Sequence, residues 1–178
     1  SLTNIDIDSD GVTIGAMTTH AQVARSIEVK KTIPALSELA GMIGDPHVRN
    51  RGTIGGSVAN NDPAADYPAA LVALGATVIT DRRKIVADEF FTDLFETALE
   101  NDELITAVHF PVPDQASYVK FPNPASRYAI VGVCVSHFGK DSRVAVTGAG
   151  EDGVFRASNL EAALNENFNA EAIVDGSV

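Results

Sequence analysis

The sequence predicts an α+β fold in two lobes, and three observations carry that prediction. The chain has 178 residues, 45% of them apolar and 21% charged, which is enough apolar material for a sizeable core. Helical and strand-like apolar periodicities are mixed up to about residue 112. Beyond Pro111-Val112-Pro113 the pattern becomes dominated by strands. The expected lobes are therefore residues 1–112 and 113–178.

Each element has a local reason. Ile5 and Ile7, then Val12 and Ile14, flank Asp8-Ser9-Asp10-Gly11, a hairpin signal because Asp-Gly suits a tight turn. Thr18 or Thr19 can cap a short helix running to about Arg25. Ile33 to Ile43 reads as a second helix, with Leu36, Leu39, Ala40 and Ile43 at helical spacing and Pro34 in its first turn. Gly44, followed by Asp45-Pro46, stops it. Arg49 to Asp66 is rich in Gly, Asn and Asp and poor in large side chains. It is expected as a loop, with Thr53 to Ser57 an exposed turn whose amides converge on one point. Tyr67 to Leu74 follows as a helix with Pro68 near its start and Asp66 or Asp62 as its cap.

Ala76 to Thr80 is a strand, Asp81-Arg82-Arg83-Lys84 a solvated turn and Lys84 to Val86 the return strand. Phe90 to Phe95 reads as a short helix or turn that buries its aromatics. Glu103 to Phe110 is a strand ended by Pro111. In the second lobe Ser117 to Phe121, Ile130 to Phe138 and Val144 to Gly148 read as strands, with Gly139-Lys140-Asp141 turning between the last two. A helix is expected from Ser158 to Leu164 and a last short one from Asn169 to Val174.

Charge and composition exclude several functions. Thirteen Lys+Arg against 24 Asp+Glu give a net charge of −11. Repulsion from phosphate speaks against nucleic acid and against an anionic membrane surface. No apolar run approaches the roughly 20 residues of a membrane span. The single cysteine, Cys134, rules out an internal disulfide framework or a Cys-rich metal centre, and fits a cytoplasmic chain. It lies in the apolar run Ile130 to Val135 and reads as inert core. His20, His47, His109 and His137 lack metal-ligand spacing, so no metal is expected. No catalytic acid, base or nucleophile can be assembled. Arg49 and Arg51 read as loop ion pairs, with a face toward a partner subunit as the less favoured alternative.

The stretch from Arg49 to Asp66 is where ligand chemistry concentrates. Gly52, Gly55 and Gly56 remove Cβ atoms and allow close approach of a ligand, while Thr53 and Ser57 add hydroxyls. Asp66 can accept hydrogen bonds from ligand hydroxyls. On the residues alone, Gly-Gly among Asn and Asp is more often the signature of an ordinary loop. The segment is neither a Walker loop nor the dinucleotide fingerprint of a parallel α/β fold.

Ile43-Gly44-Asp45-Pro46-His47-Val48-Arg49-Asn50-Arg51-Gly52-Thr53-Ile54-Gly55-Gly56-Ser57, continuing into Asp62-Pro63-Ala64-Ala65-Asp66-Tyr67-Pro68, resembles the second FAD-binding motif of the molybdenum-hydroxylase flavoproteins. These are the FAD-binding medium subunits of aerobic carbon monoxide dehydrogenase and the matching domains of xanthine dehydrogenases. Ile14-Gly15-Ala16-Met17-Thr18-Thr19-His20, Phe90-Phe91-Thr92, Glu103-Leu104-Ile105, Lys120-Phe121 and Ser126-Arg127-Tyr128-Ala129 extend the likeness over nearly the whole chain.

The resemblance implies the second lobe of a PCMH/VAO-type FAD-binding domain, followed by the flavoprotein C-terminal α+β domain. It implies FAD held by the run Thr53, Ile54, Gly55, Gly56 and Ser57, with Gly52 and Ala59 lining the cofactor. Asp66 is implied at the flavin's polar chain, with Ile105 and Tyr128 near its ring. It also implies electron transfer from a molybdenum-cofactor large subunit, through the 2Fe–2S clusters of a small subunit, to FAD and an external acceptor. The family's earlier glycine motif, of the Ala-Gly-Gly-x-Ser-Leu kind, does not occur here. The chain is therefore expected to begin part-way through a larger protein and to bind FAD weakly alone. A stand-alone FAD-dependent reductase, or a non-enzymatic scaffold that has lost FAD, are the alternatives.

Overall fold

A computed structural model describes residues 1–169. The chain opens with a hairpin, β1 (Ile5–Ile7) against β2 (Val12–Gly15), Ile5 lying opposite Ile14. The Asp8 carboxylate closes its turn by accepting from the amides of Asp10 and Gly11 at 2.8 and 3.0 Å. Three short helices follow: α1 (His20–Arg25), α2 (Ile27–Thr32) and α3 (Pro34–Met42). Thr19 caps α1 in a reciprocal box with Gln22. Ser26 ends α1 and caps α2, accepting from the Val29 amide at 3.2 Å. The α2 helix was not expected, because only Val29 on it is buried and no apolar stripe marks it.

The expected loop from Arg49 to Asp66 is instead largely helical. Asp45-Pro46 does more than stop α3. It starts α4 (Pro46–Arg51), the Asp45 carboxylate accepting from the amides of His47 and Val48 at 2.7 and 2.9 Å. Thr53 then caps α5 (Ile54–Asn60), its hydroxyl accepting from the Gly56 amide at 3.1 Å. Two glycines in one helix cost about 1 kcal/mol each relative to alanine. Ile54 and Val58, one helical turn apart and fully buried, offset this by about 1.5–3 kcal/mol each. Asn61 ends α5 in the left-handed region at φ +42°, and its side-chain amide donates to the Asp93 and Glu96 carbonyls.

The central helix is α6 (Tyr67–Ala73), buried along its whole length. After it come β3 (Thr77–Thr80), β4 (Lys84–Val86), α7 (Ala87–Phe90), β5 (Phe91–Asp93), β6 (Glu96–Thr97) and β7 (Ile105–Phe110). Beyond Pro113 lie β8 (Gln115–Pro122), β9 (Ala129–Phe138), β10 (Asp141–Thr147), β11 (Phe155–Arg156) and α8 (Ser158–Glu166). One sheet has the order β1-β2-β7-β3-β4, and the other β11-β10-β9-β8. All pairings are antiparallel, as an α+β fold requires.

Every strand of the first sheet precedes Pro111 and every strand of the second follows Pro113. A single buried core nonetheless joins them. Tyr118, Cys134 and Ala145 of the second sheet pack into the same cluster as Ile14, Leu71, Val78 and Phe110. Cys134 is core, and burial pushes its thiol up to about 12. On the opposite face of the second sheet, α8 covers Val144 and Val146 through Leu160 and Leu164.

Three local expectations change. Phe90 is buried, but Phe95 is 59% exposed at φ +57°, because the chain turns back there between β5 and β6. The turn before Lys84 is not merely solvated. Arg83 pairs with Glu103 at 3.0 Å, and the Thr80 hydroxyl and Glu100 amide also donate to that carboxylate. Among the described residues Arg49 makes no ion pair, and it donates instead to the carbonyls of Ile43 and Gly44 at 2.9 and 2.8 Å. The helix expected from Asn169 to Val174 falls, beyond Asn169, outside the described residues.

Candidate functional site

A cleft of about 520 Å³ opens between the α4–α5 segment and the loop joining β8 to β9. Such a volume suits a small-molecule or cofactor site. Gly52, Thr53, Gly56 and Ser57 form one wall. Asp62 and Asp66, just before α6, line it further, and Ser126, Arg127 and Tyr128 come from the opposite loop. Six of the ten residues expected at a cofactor, Gly52, Thr53, Gly56, Ser57, Asp66 and Tyr128, thus meet around one space.

The other four are not in this lining. Ile54 is fully buried core, and Ala59 is exposed on α5. Ile105 begins β7, half-buried opposite Thr80. Gly55 is buried against the end of β2. A Cβ on it would lie 2.6 Å from the Ala16 Cβ, so its missing side chain serves the crossing of α5 over that strand.

The amides of Thr53 to Ser57 do not form the expected convergent turn. Ile54 donates to the Thr18 carbonyl at 3.0 Å, Gly55 to the Ala16 carbonyl at 2.9 Å, and Ser57 to the Thr53 carbonyl at 3.0 Å. With Gly56 bonded to the Thr53 hydroxyl, all four amides have protein acceptors. What this wall offers a ligand is the Ser57 hydroxyl, the donor hydrogen of Thr53 and the exposed, side-chain-free backbone of Gly56.

Asp66 is a buried carboxylate. It accepts from the Tyr118 hydroxyl at 2.5 Å and from the Lys120 ammonium at 2.9 Å, while Lys120 also donates to the Met42 carbonyl at 3.1 Å. Burial raises the carboxyl above its ordinary range, against the opposing pull of Tyr118 and Lys120. The Asp66 side chain therefore does not cap α6. It ties the start of α6 to β8 beneath the cleft.

His20 is a cleft residue that the sequence did not mark. It is only 4% exposed, and burial together with the charge of Arg49 lowers its imidazole to about 4, so it is neutral at pH 7. Its Nδ1 is buried without a hydrogen-bond partner among the described residues, as is the hydroxyl of Tyr67, whose ring centroid lies 5.4 Å away. Arg51 and Arg127 bring positive charge to the cleft edge. Among the described residues no group of acidic, histidine or cysteine side chains is arranged to hold a metal, and no helix is long and apolar enough to cross a membrane.

Comparison with known proteins agrees with this geometry. The family described as FAD binding domain in molybdopterin dehydrogenase matches residues 1–113. The chain is 36% identical over 148 residues to the nicotine 6-hydroxylase medium subunit of Paenarthrobacter nicotinovorans, covering 80% of this chain and 52% of that one. It is 32% identical over 188 residues to the carbon monoxide dehydrogenase medium chain of Hydrogenophaga pseudoflava, covering 97% and 64%. A solved structure of carbon monoxide dehydrogenase from that organism, lacking the Mo-pyranopterin moiety of the molybdenum cofactor, superimposes with a TM-score of 0.84 at 33% identity, over 98% of this chain and 63% of the other. The chain thus spans between about half and two thirds of the length of these relatives.

The residues present fit FAD. Hydroxyl donors and the bare Gly56 backbone suit close approach of a diphosphate, Arg51 and Arg127 oppose its charge, and Asp62 and Asp66 can accept from a polyol chain. The orphaned Nδ1 of His20 adds an unsatisfied polar atom beside the same space. On the family match, the shared fold and this lining, the chain belongs to the family of FAD binding domains of molybdopterin dehydrogenases.

Proposed function

We propose that this chain forms one wall of the FAD site in the electron-transfer subunit of a molybdenum hydroxylase. The carrying observation is the meeting of Gly52, Thr53, Gly56, Ser57 and Asp66 around one cleft within the matched segment. When bound, FAD would supply the redox chemistry, taking up and releasing electrons. The chain's own residues bind and orient it. Thr53 and Ser57 would donate to phosphate oxygens, and Asp66, held by Tyr118 and Lys120, would present a fixed acceptor to the polyol chain. No side chain needs to move a proton.

The reading extends to a cytoplasmic complex with a molybdenum-cofactor large subunit and a 2Fe–2S small subunit, most like aerobic carbon monoxide dehydrogenase. Its support is the company of relatives, which are medium subunits of enzymes named for nicotine, glyceraldehyde and carbon monoxide. Such different names on one shared architecture favour a substrate site on another subunit.

Titrating FAD into the chain and its Ser57→Ala and Thr53→Val variants, followed by flavin fluorescence, tests the cleft. Saturable quenching that weakens in both variants is expected. Quenching unchanged by either substitution would reject the assignment. Copurification with an iron–sulfur and a molybdenum subunit tests the complex.

A further inference from the structure

His20 opens α1, and its backbone is laced to the start of the flavin wall. Its amide donates to the Gly52 carbonyl at 3.0 Å, and the Ile54 amide donates to the Thr18 carbonyl at 3.0 Å. Between these bonds Thr19 and Thr53 lie opposite each other as in an antiparallel pair. The imidazole is thus carried by the same contacts that set Thr53 and α5 in place. It packs against the Tyr67 ring, the two planes tilted by 47°. It also packs against Gly52, where a Cβ would stand 2.5 Å from Nε2 and 2.8 Å from Cδ2. Glycine at position 52 therefore makes the room that the ring occupies.

The two ring nitrogens have different surroundings. Nδ1 is sealed in protein with no hydrogen-bond partner among the described residues. Nε2 is the edge beside Gly52, and both residues line the cleft. A neutral imidazole carries one hydrogen, and its place follows from this contrast. On Nδ1 it would be a buried N–H with nothing to accept it, which folded chains avoid more strictly than an unpaired acceptor. On Nε2 it is available to the cleft. Burial and the charge of Arg49 keep the ring neutral at pH 7, so this single hydrogen is what the side chain has to offer.

Packing alone does not call for histidine here. The space is bounded by an aromatic ring and a glycine, and an apolar side chain would fill it without burying an unpaired nitrogen. The cost of that nitrogen is offset if the opposite edge of the ring meets a ligand.

We propose that His20 is a cofactor-binding residue of this cleft, its Nε2–H donating to an oxygen of bound FAD. The proposal rests on the flavin reading above. It adds to the hydroxyls of Thr53 and Ser57 a donor that is rigid before the ligand arrives, because the ring is clamped and the backbone on both sides is bonded.

Flavin-fluorescence titration with FAD, comparing His20→Leu and His20→Gln with the unsubstituted chain, tests this. Leucine fills the space and has no donor, whereas glutamine places a side-chain N–H close to the position of Nε2. Binding weakened roughly ten- to hundredfold in His20→Leu and largely restored in His20→Gln is expected. A residue that only packs gives the reverse order, with leucine tolerated and glutamine the weaker binder. That order overturns the proposal, as do equal affinities in the two variants. Nitrogen-15 NMR of the unsubstituted chain supplies a second measurement, in which His20 should carry its hydrogen on Nε2. Hydrogen on Nδ1 overturns the proposal, and this spectrum decides should His20→Leu fail to fold. If FAD does not bind saturably to the unsubstituted chain, the flavin reading itself is rejected and the proposal with it.

Discussion

A Cβ added to Gly55 would stand 2.6 Å from the Cβ of Ala16 and 2.8 Å from its carbonyl oxygen. The Gly55 amide donates to that same carbonyl at 2.9 Å. Helix α5 thus rests directly on the end of β2, and the first glycine of the Gly-Gly pair is a packing residue. Gly55→Ala should destabilise the fold by about 1–3 kcal/mol through overpacking, read as a lowered midpoint of thermal unfolding.

Gly56 behaves differently. A Cβ there meets only the Thr53 hydroxyl, at 3.1 Å, and the position is exposed to the cleft. Gly56→Ala should leave stability within about 1 kcal/mol of the parent, since alanine is the better helix former, while reducing flavin binding. A variant that loses stability but binds flavin normally would reverse the roles given to the two glycines.

The contrast shows what the sequence made legible. The Asp8–Gly11 hairpin and the Thr19 cap were readable because a few neighbouring residues determine them. Helix α5 was not. Its glycines argue against a helix, and the burial of Ile54 and Val58 in a core built by distant strands decides otherwise. The near wall of the cleft was found through its motif. Arg127, in the far wall, was not, since nothing in Ser126-Arg127-Tyr128 announces a left-handed residue brought across from the β8–β9 loop. His20 was invisible for the same reason: its environment is made by Gly52, Arg49 and Tyr67, all remote in sequence.

The buried group Asp66–Tyr118–Lys120 should be sensitive to losing one charge. Lys120→Met leaves the Asp66 carboxylate buried beside only a neutral donor. Breaking such a pair costs about 3–5 kcal/mol. Adding Asp66→Asn should recover part of this, because the second substitution removes the stranded charge. Additive losses in a double-mutant cycle would show that the two side chains are not coupled.

Acid should unfold the chain in two stages. His20 has a folded-state value of about 4, below its ordinary 6.5, so the unfolded chain binds the proton more readily. Its contribution is complete above pH 6.5 and is lost as pH falls towards 4. Glu103, lowered from 4.5 to about 2 by Arg83 and the Glu100 amide, contributes above pH 4.5 and loses that contribution as pH falls towards 2. Urea midpoints measured across this range should fall in both windows. His20→Gln should flatten the upper one and Glu103→Gln the lower. A profile unchanged by either substitution would show that these groups do not set the acid limb.

The last prediction concerns affinity. Tight binding of a diphosphate commonly draws on several backbone amides aimed at one point. Here the amides of Ile54, Gly55, Gly56 and Ser57 all have acceptors within the protein. The cleft is left with two hydroxyls, the His20 imidazole, the arginine pair at its edge and acceptors for the polyol chain. Hydrogen bonds to charged groups contribute about 1.5–3 kcal/mol each, and a micromolar complex needs about 8.2 kcal/mol in all. Part of any gain is offset by the entropy of fixing a flexible dinucleotide. The 178-residue chain alone should therefore bind FAD more weakly than about 1 µM, and tight binding should require a second protein surface closing over the cofactor. Calorimetric titration of FAD into the chain measures this directly. A submicromolar dissociation constant would show that the wall described here suffices on its own.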